Sequence, residues 1–276
     1  MKDNVKISLF GIGGAGANTV GRIADCNRII VESRGSKIQS TGIISTILLD
    51  IPSIQSCGYL PVVDVENIKA GIDDSDAVVL CAGLGGNTGS TIAPMIARLA
   101  KDQGKIVVAV LFKPFAFEGS IRSRNAENSF NLMRDWADSI IYVSNDKLIR
   151  LARARAKMAD AFSYADKIVS ETIEIVSSAL QKGVVGNVSK MQIANAIKCP
   201  VCSSVVYSNE KRCRVCGFDQ LGFEALNKED AEEWLNNVVI PARDKWVSQQ
   251  SAVNLIVDEL SMHFSTNEIV IDVSNR

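Results

Sequence analysis

Residues 82–90 read Ala-Gly-Leu-Gly-Gly-Asn-Thr-Gly-Ser, between an apolar run of strand length (76–81) and a stretch of helical spacing (91–103). A glycine-rich turn from strand to helix lets the backbone approach an anion. It aims main-chain amides at that anion and adds the positive end of the helix dipole. Thr88 and Ser90 contribute hydroxyl donors. A second turn of the same chemistry lies near the amino terminus. There a strand-like run over residues 5–10 leads into Gly11, Gly13 and Gly16, which make G-x-G-x-x-G at the head of a helical stretch. This is the dinucleotide fingerprint, and Glu32, ending the next strand-like run, stands where an acid would meet a ribose. Either loop alone is equally a tight strand-to-helix turn without a ligand.

A different chemistry is written later, in Cys199-Pro-Val-Cys202 and Cys213-Arg-Val-Cys216. Each knuckle sets two thiolates on one turn, and two knuckles complete a tetrahedral zinc site with no open position for catalysis. So small a zinc ribbon cannot fold on a core of its own, and the metal supplies the free energy. Redox C-x-x-C chemistry and an iron site of rubredoxin type use similar spacing. Lys198, Lys211, Arg212 and Arg214 are basic but lack an aromatic platform for nucleic acid, which favours protein docking as the ribbon's role. Cys26, Cys57 and Cys81 are scattered, and Cys81 sits in a run that reads as a buried strand, where cysteine acts as a small hydrophobe. His263 is the only histidine. It excludes His-rich metal sites, and without a nucleophile elbow it argues against a Ser-His-Asp triad.

The elements that must hold these residues follow from periodicity. Apolar, β-branched runs at 28–32, 43–49, 105–112 and 139–143 alternate with helical spacing at 65–72, 121–136 and 155–182. Residues 34–42 read as a loop and 52–61 as irregular chain. The alternation predicts an α/β fold with a doubly wound, mostly parallel sheet. Ligands on such sheets sit at the carboxyl ends of the strands, so both glycine loops share a rim and suit a di- or triphosphate. After the ribbon, residues 228–237 and 242–264 read as helical, the latter with Trp246, Val253, Ile256, Leu260 and Phe264 as an apolar stripe. Residues 268–273 read as an edge strand with no evident partner, a neighbouring subunit being one candidate. The expected division is 1–196, 197–220 and 221–276. With 47% hydrophobic residues, 22% charged residues and a net charge of −1, the 276-residue chain is ordinary globular material with no pull toward nucleic acid or anionic membrane. No run is long enough to span a bilayer and the start is too polar for a secretory signal, so a cytoplasmic location is expected.

Five motifs now stand in order: Gly11 to Val20, Ala82 to Pro94, Lys113-Pro-Phe-Ala-Phe-Glu-Gly119 followed by Arg122, Asn145-Asp-Lys-Leu148, and Asp160 to Asp166. In this order and at these intervals the sequence resembles the tubulin/FtsZ superfamily, its FtsZ branch most, over roughly residues 1–195. The resemblance implies a GTP or GDP site with magnesium. Gly13, Gly14 and Asn18 would lie in the first nucleotide loop. Gly85, Gly86, Asn87, Thr88, Gly89 and Ser90 would form the signature loop around the phosphates. Asn87 replaces a family glycine, and asparagine tolerates a left-handed backbone better than most residues. Glu118 would hold the ribose hydroxyls, Arg122 would lie near phosphates and sugar, and Asn145 on the ribose side. Phe162 would stack on the base. Asp166 replaces an asparagine that reads guanine, and its carboxylate can accept from N1–H and the 2-amino group, donors that adenine lacks. Read locally, Glu118 and Arg122 are equally a surface ion pair, Asn145 a turn residue and Phe162 a core aromatic.

Three departures from the family stand out. Two catalytic acids that reach a neighbouring subunit's nucleotide are replaced by Ser189 and Gln192, leaving Gln192 as the candidate to orient a water. Residues 57–61 do not carry the loop that senses the terminal phosphate, and Asp50 is a candidate acid on the magnesium side. The family's second domain does not fit in the remaining chain. The expectation is a GTP-binding cytoskeletal protein that self-associates head to tail into filaments. Its GTP hydrolysis would be weak, or completed by a partner subunit such as a related FtsZ-like protein. The alternatives are a non-polymerising GTP-sensing adaptor that docks partners through the zinc ribbon, and an NAD-binding Rossmann oxidoreductase.

Overall fold

A computed structural model describes residues 5–23, 26–36, 45–58, 60–148, 158–183, 196–198, 205–207, 240–264 and 270–275. The chain divides into two units, Met1–Gln181 with Val253–Arg276, and Lys182–Ala252.

The first unit opens with β1 (Ile7–Ile12), α1 (Gly13–Val20), β2 (Asn27–Ser33) and β3 (Ser45–Leu49). It continues through α2 (Ile51–Cys57), α3 (Val62–Asp73), β4 (Ala77–Gly83), α4 (Asn87–Asp102) and β5 (Ile106–Lys113). Then come α5 (Ser120–Arg134), β6 (Ser139–Ser144) and α6 (Met158–Gly183). The sheet order is β3-β2-β1-β4-β5-β6-β9, where β9 is Val270–Asn275. The first six strands are parallel, as the β-branched runs predict, and β9 lies antiparallel on β6. Strand order reverses between β1 and β4. There Gly11 pairs with Cys81 and Ile12 with Ala82, so the two strands end side by side. A crevice opens outside the carboxyl ends at such a reversal.

Alternate strand residues bury one face of the sheet, with Phe10, Leu80 and Leu111 packed among Ile54, Ile68, Ile92 and Met133 from α2 to α5. The intervening set, including Leu9, Val79, Cys81, Val108 and Ile141, is also fully buried. Burial on both faces is why these strands read as continuous apolar runs. At the amino end of β6, Asp138 ties α4 to β5. Lys101 Nζ donates to both its oxygens at 2.8 and 2.9 Å, and Val107 N donates to Oδ2 at 2.8 Å.

Two expectations about elements need correction. Residues 51–57 are not irregular but form α2. Asp50 caps it, accepting from Ser53 N, Pro52 fits the first turn, and Ile51 and Ile54 are buried. The Asp50 carboxylate also accepts from Ser53 Oγ at 2.9 Å. The carboxyl-terminal strand, expected to lack an evident partner, pairs with β6 of its own chain, Ile141 opposite Val273. α7 (Ile240–Phe264) contributes Val253, Ile256, Leu260 and Phe264 to the first unit's buried set. His263 is the expected helix-face histidine, its Nε2 lying 3.2 Å from Glu171 Oε2 on α6.

In the second unit, β7 (Ala196–Lys198) and β8 (Val205–Tyr207) pair antiparallel, Lys198 opposite Val205. Cys199 and Cys202 fall in the connection 199–204; they, Cys213, Cys216, Ser189 and Gln192 lie outside the described residues. Among the described residues no helix is long and apolar enough to cross a membrane.

Candidate functional site

The cleft is built by two helix starts. α1 begins directly at Gly13 after β1, and α4 begins at Asn87 after β4. Neither has a side-chain cap and neither carries an acid in its first turn. Their free amides and dipoles are therefore left for an external anion. The two starts touch. A Cβ on Gly13, whose φ is +70°, would lie 3.3 Å from Gly89 N and 3.5 Å from Thr88 Cβ. A Cβ on Gly89 would lie 2.1 Å from Gly83 O, a distance that backbone atoms cannot accept. Gly13 is thus required by the close approach of one loop to the other, and Gly89 by the approach of the start of α4 to the end of its own β4.

A cavity of about 610 Å³ opens between the loops, within the range of small-molecule sites. Gly13, Gly14, Asn18, Gly86, Asn87, Thr88 and Gly89 line its inner end, and Glu118, Arg122 and Asn145 line its rim. Gly85 and Ser90 stand behind the wall, where Gly85 N donates to Ser90 Oγ at 2.7 Å and closes the loop on itself. The left-handed backbone falls at Gly85, φ +92°, and not at Asn87, which already belongs to the helix. The asparagine is tolerated because its position demands no special backbone, correcting the reason offered from sequence.

Glu118 Oε1 accepts from Phe115 N at 2.9 Å, and Oε2 accepts from Arg122 Nη1. The ion pair read locally is therefore present, and it sits on the cleft wall. Phe162 lies on α6 with its side chain outside the described residues. Asp166 is not on the wall. Its carboxylate accepts from Arg22 Nε at 2.6 Å and from Nη2 at 2.8 Å. Arg22 does line the cavity. Sequence reasoning missed it because it lies beyond the glycine fingerprint, although its place just after α1 on the same side as Asn18 was a usable signal. Phe112, Pro114, Phe115, Leu148 and Ala165 supply the apolar remainder of the wall and were also missed.

Glu32 is buried at the end of β2, where Oε1 accepts from Ser33 N at 3.0 Å and Oε2 would lie 3.8 Å from a Cβ on the cavity-lining Gly14. Burial pushes the Cys81 thiol up to about 12, which suits the packed hydrophobe expected and not a nucleophile. The donor set fits a nucleotide's phosphate tail: uncapped amides, a threonine hydroxyl and the Arg22 and Arg122 guanidinium groups of the lining. A magnesium ion would find one wall carboxylate, Glu118, already paired with Arg122. It would then be held mainly by phosphate oxygens and water, the usual mode for this cation. Among the described residues no three His, Cys, Asp or Glu side chains come together as a metal group.

Comparison with known proteins agrees with this geometry. The family described as Tubulin/FtsZ family, GTPase domain, matches residues 63–153. The chain is similar to the cell division protein FtsZ of Rickettsia typhi, 30% identical over 188 residues, covering 63% of this chain and 42% of that protein. It is similar to FtsZ of Buchnera aphidicola at 30% over 202 residues, 68% of this chain and 52% of that one. Among solved structures, an empty FtsZ dimer of M. jannaschii superposes with a TM-score of 0.51 at 27% identity, covering 71% of this chain and 59% of that one. The chain therefore spans about half the length of these curated relatives. Six parallel strands in this order, two glycine loops at the reversal and a family match through the second of them make the α/β unit of this chain similar to the Tubulin/FtsZ GTPase domain.

Proposed function

We propose that the cleft binds GTP or GDP, the phosphates against the starts of α1 and α4, the ribose between Glu118 and Asn145, and the base toward α6. The observation that carries this reading is the mutual contact of two uncapped, acid-free helix starts at the strand-order reversal. Magnesium would accompany the phosphates. The chain would assemble head to tail with copies of itself or with a related FtsZ-like partner. Its GTP hydrolysis would be weak because Ser189 and Gln192 replace the acids, with Gln192 the remaining group able to orient water. Residues 197–220 would fold around zinc and dock other proteins. The test is to identify the nucleotide retained on purification, then to sediment and image the protein with GTP and with GDP. Guanine nucleotide and GTP-dependent polymer support the reading; neither appearing would overturn it.

The same replacement at 189 and 192 favours a second reading, a GTP-sensing adaptor that does not polymerise. It calls for nucleotide binding with a mass that stays fixed at every protein concentration.

Two predictions follow. Ser189→Asp combined with Gln192→Asp raises GTP turnover in filaments by about tenfold or more, measured as phosphate release. No gain in intact filaments would contradict the placement of this loop against the next subunit's nucleotide. Zinc analysis should find one ion per chain, and its chelation should expose amides of residues 197–220 to hydrogen exchange while GDP affinity changes by less than about threefold. Joint loss of both would show that the ribbon is integral to the nucleotide unit.

A further inference from the structure

Away from the nucleotide cleft, the sheet ends at β3 in a slot. Among the described residues β3 has a single neighbour, β2, paired without a break from Ile29 and Ser45 to Ser33 and Leu49. Arg34 N donates to Leu49 O, so Leu49 and Ile47 turn their main-chain groups toward β2, and Leu48 and Thr46 turn theirs outward. Leu48 O accepts a long bond, 3.5 Å, from Arg34 Nε. The strand, Ser-Thr-Ile-Leu-Leu, carries none of the charges or prolines that blunt an edge. A cavity of about 1150 Å³ runs along it, bounded by Val63, Asp64 and Asn67 of α3 and by Ile173 and Ser177 of α6. Side chains of β3 alternate between two sides of the sheet. Ile47 and Leu49 pack with Ile68 and Ile72 of α3, and Leu48, 43% exposed, lies on the other side.

One charged group in this slot lacks a partner. Asp64 is 8% exposed, lines the cavity and makes no hydrogen bond or ion pair with any described residue. The cause is local. An acid at the third position of a helix ordinarily accepts from the N–H of the capping residue, and here that residue is Pro61, which has none. The α3 dipole favours the charge without filling its acceptor sites. Asp74, on the same cavity, is by contrast held by Lys6 Nζ at 2.8 Å. We propose that the β3 edge docks an extended segment of a partner protein that carries lysine or arginine. The segment joins the seven-stranded sheet as a further strand, its main chain bonded to Thr46 and Leu48. Its cationic side chain fills the open acceptor sites of Asp64 with charge-assisted bonds. Because side chains alternate along a strand, the two residues flanking the cation point to the other side of the sheet, where Leu48 and Ile173 are apolar. The recognised pattern is therefore apolar, basic, apolar.

The experiment pans a random heptapeptide phage library on the full chain, then follows a recovered peptide by calorimetry and hydrogen exchange. Recovered peptides should carry lysine or arginine at one fixed position between apolar neighbours, enriched at least about fivefold over the library. The peptide should slow exchange of the Thr46 and Leu48 amides about tenfold or more. Asp64→Asn should weaken it at least about tenfold with no loss of thermal stability, since the carboxylate has no partner to lose in the free chain. Thr46→Pro, a change that an edge strand tolerates, removes one outward donor and should weaken it by a similar factor. If that variant does not fold, Asp64→Asn decides. No enriched peptide, a consensus without a basic residue, or equal affinity for Asp64→Asn and the unaltered chain would overturn the proposal. Protection of Thr46 and Leu48 that rises with protein concentration in the absence of peptide would also overturn it, by giving the edge to a second copy of the chain.

Discussion

Gly89→Ala should lower the unfolding free energy by about 3 kcal/mol and weaken GDP binding at least about a hundredfold. The added Cβ would lie 2.1 Å from Gly83 O, and both partners are backbone, so no side-chain rotation relieves the clash. The start of α4 must move off β4, and with it the Gly89 amide and the Thr88 side chain that lie beside Gly13. Gly86→Ala is the matched control. Gly86 lines the cavity with an ordinary φ of −84° and has nothing within 4 Å of an added Cβ. Its stability should change by less than about 0.5 kcal/mol, while any loss of GDP affinity reports ligand pressed against that backbone. Denaturation and calorimetry on both variants check the pair. Equal behaviour of the two would show that the close approach of the α4 start to β4 does not shape the site.

Asp138→Ala should cost about 3 kcal/mol of stability, the range for removing one partner of a buried charge pair. Asp138 is 8% exposed and serves two donors, Lys101 Nζ and Val107 N. Alanine would leave an ammonium and a main-chain N–H without their acceptor in a closed environment. Asp138→Asn keeps an acceptor for Val107 and should recover part of the loss. The tie lies at the amino end of β6, the opposite end of the strands from the glycine loops, so GDP affinity of the folded protein should remain within about twofold. Urea unfolding would show a lower midpoint at unchanged slope. A stability loss under about 1 kcal/mol would mean that the carboxylate is not holding α4 to the sheet.

What the sequence showed and what it hid divide along physical lines. Doubly buried strands such as residues 105–112 carry their signal locally, in unbroken β-branched runs, and the structure places them as expected. The glycine loops were legible for the same reason, since a backbone approach needs glycine itself. α2 was missed because its seven residues, with two serines, a glutamine and a proline, have little intrinsic preference for helix. Asp50 and the burial of Ile51 and Ile54 decide it. The partner of β9 was hidden because strand pairing across such a sequence separation leaves no local pattern. Arg22 was hidden for a related reason: its meaning depends on Asp166, which lies on α6 and meets it only in the folded chain. Asn87 was assigned a strained backbone because the loop was read through Ser90, four residues too long, whereas helical geometry begins at Asn87.

The most direct test is to titrate the purified chain with GDP and, in parallel, with guanosine. If the starts of α1 and α4 grip the phosphate tail, GDP binds at least about a hundredfold more tightly than guanosine, and the difference shrinks as salt rises. Equal affinities for the two, or heat from neither, would contradict a phosphate cradle in this cleft.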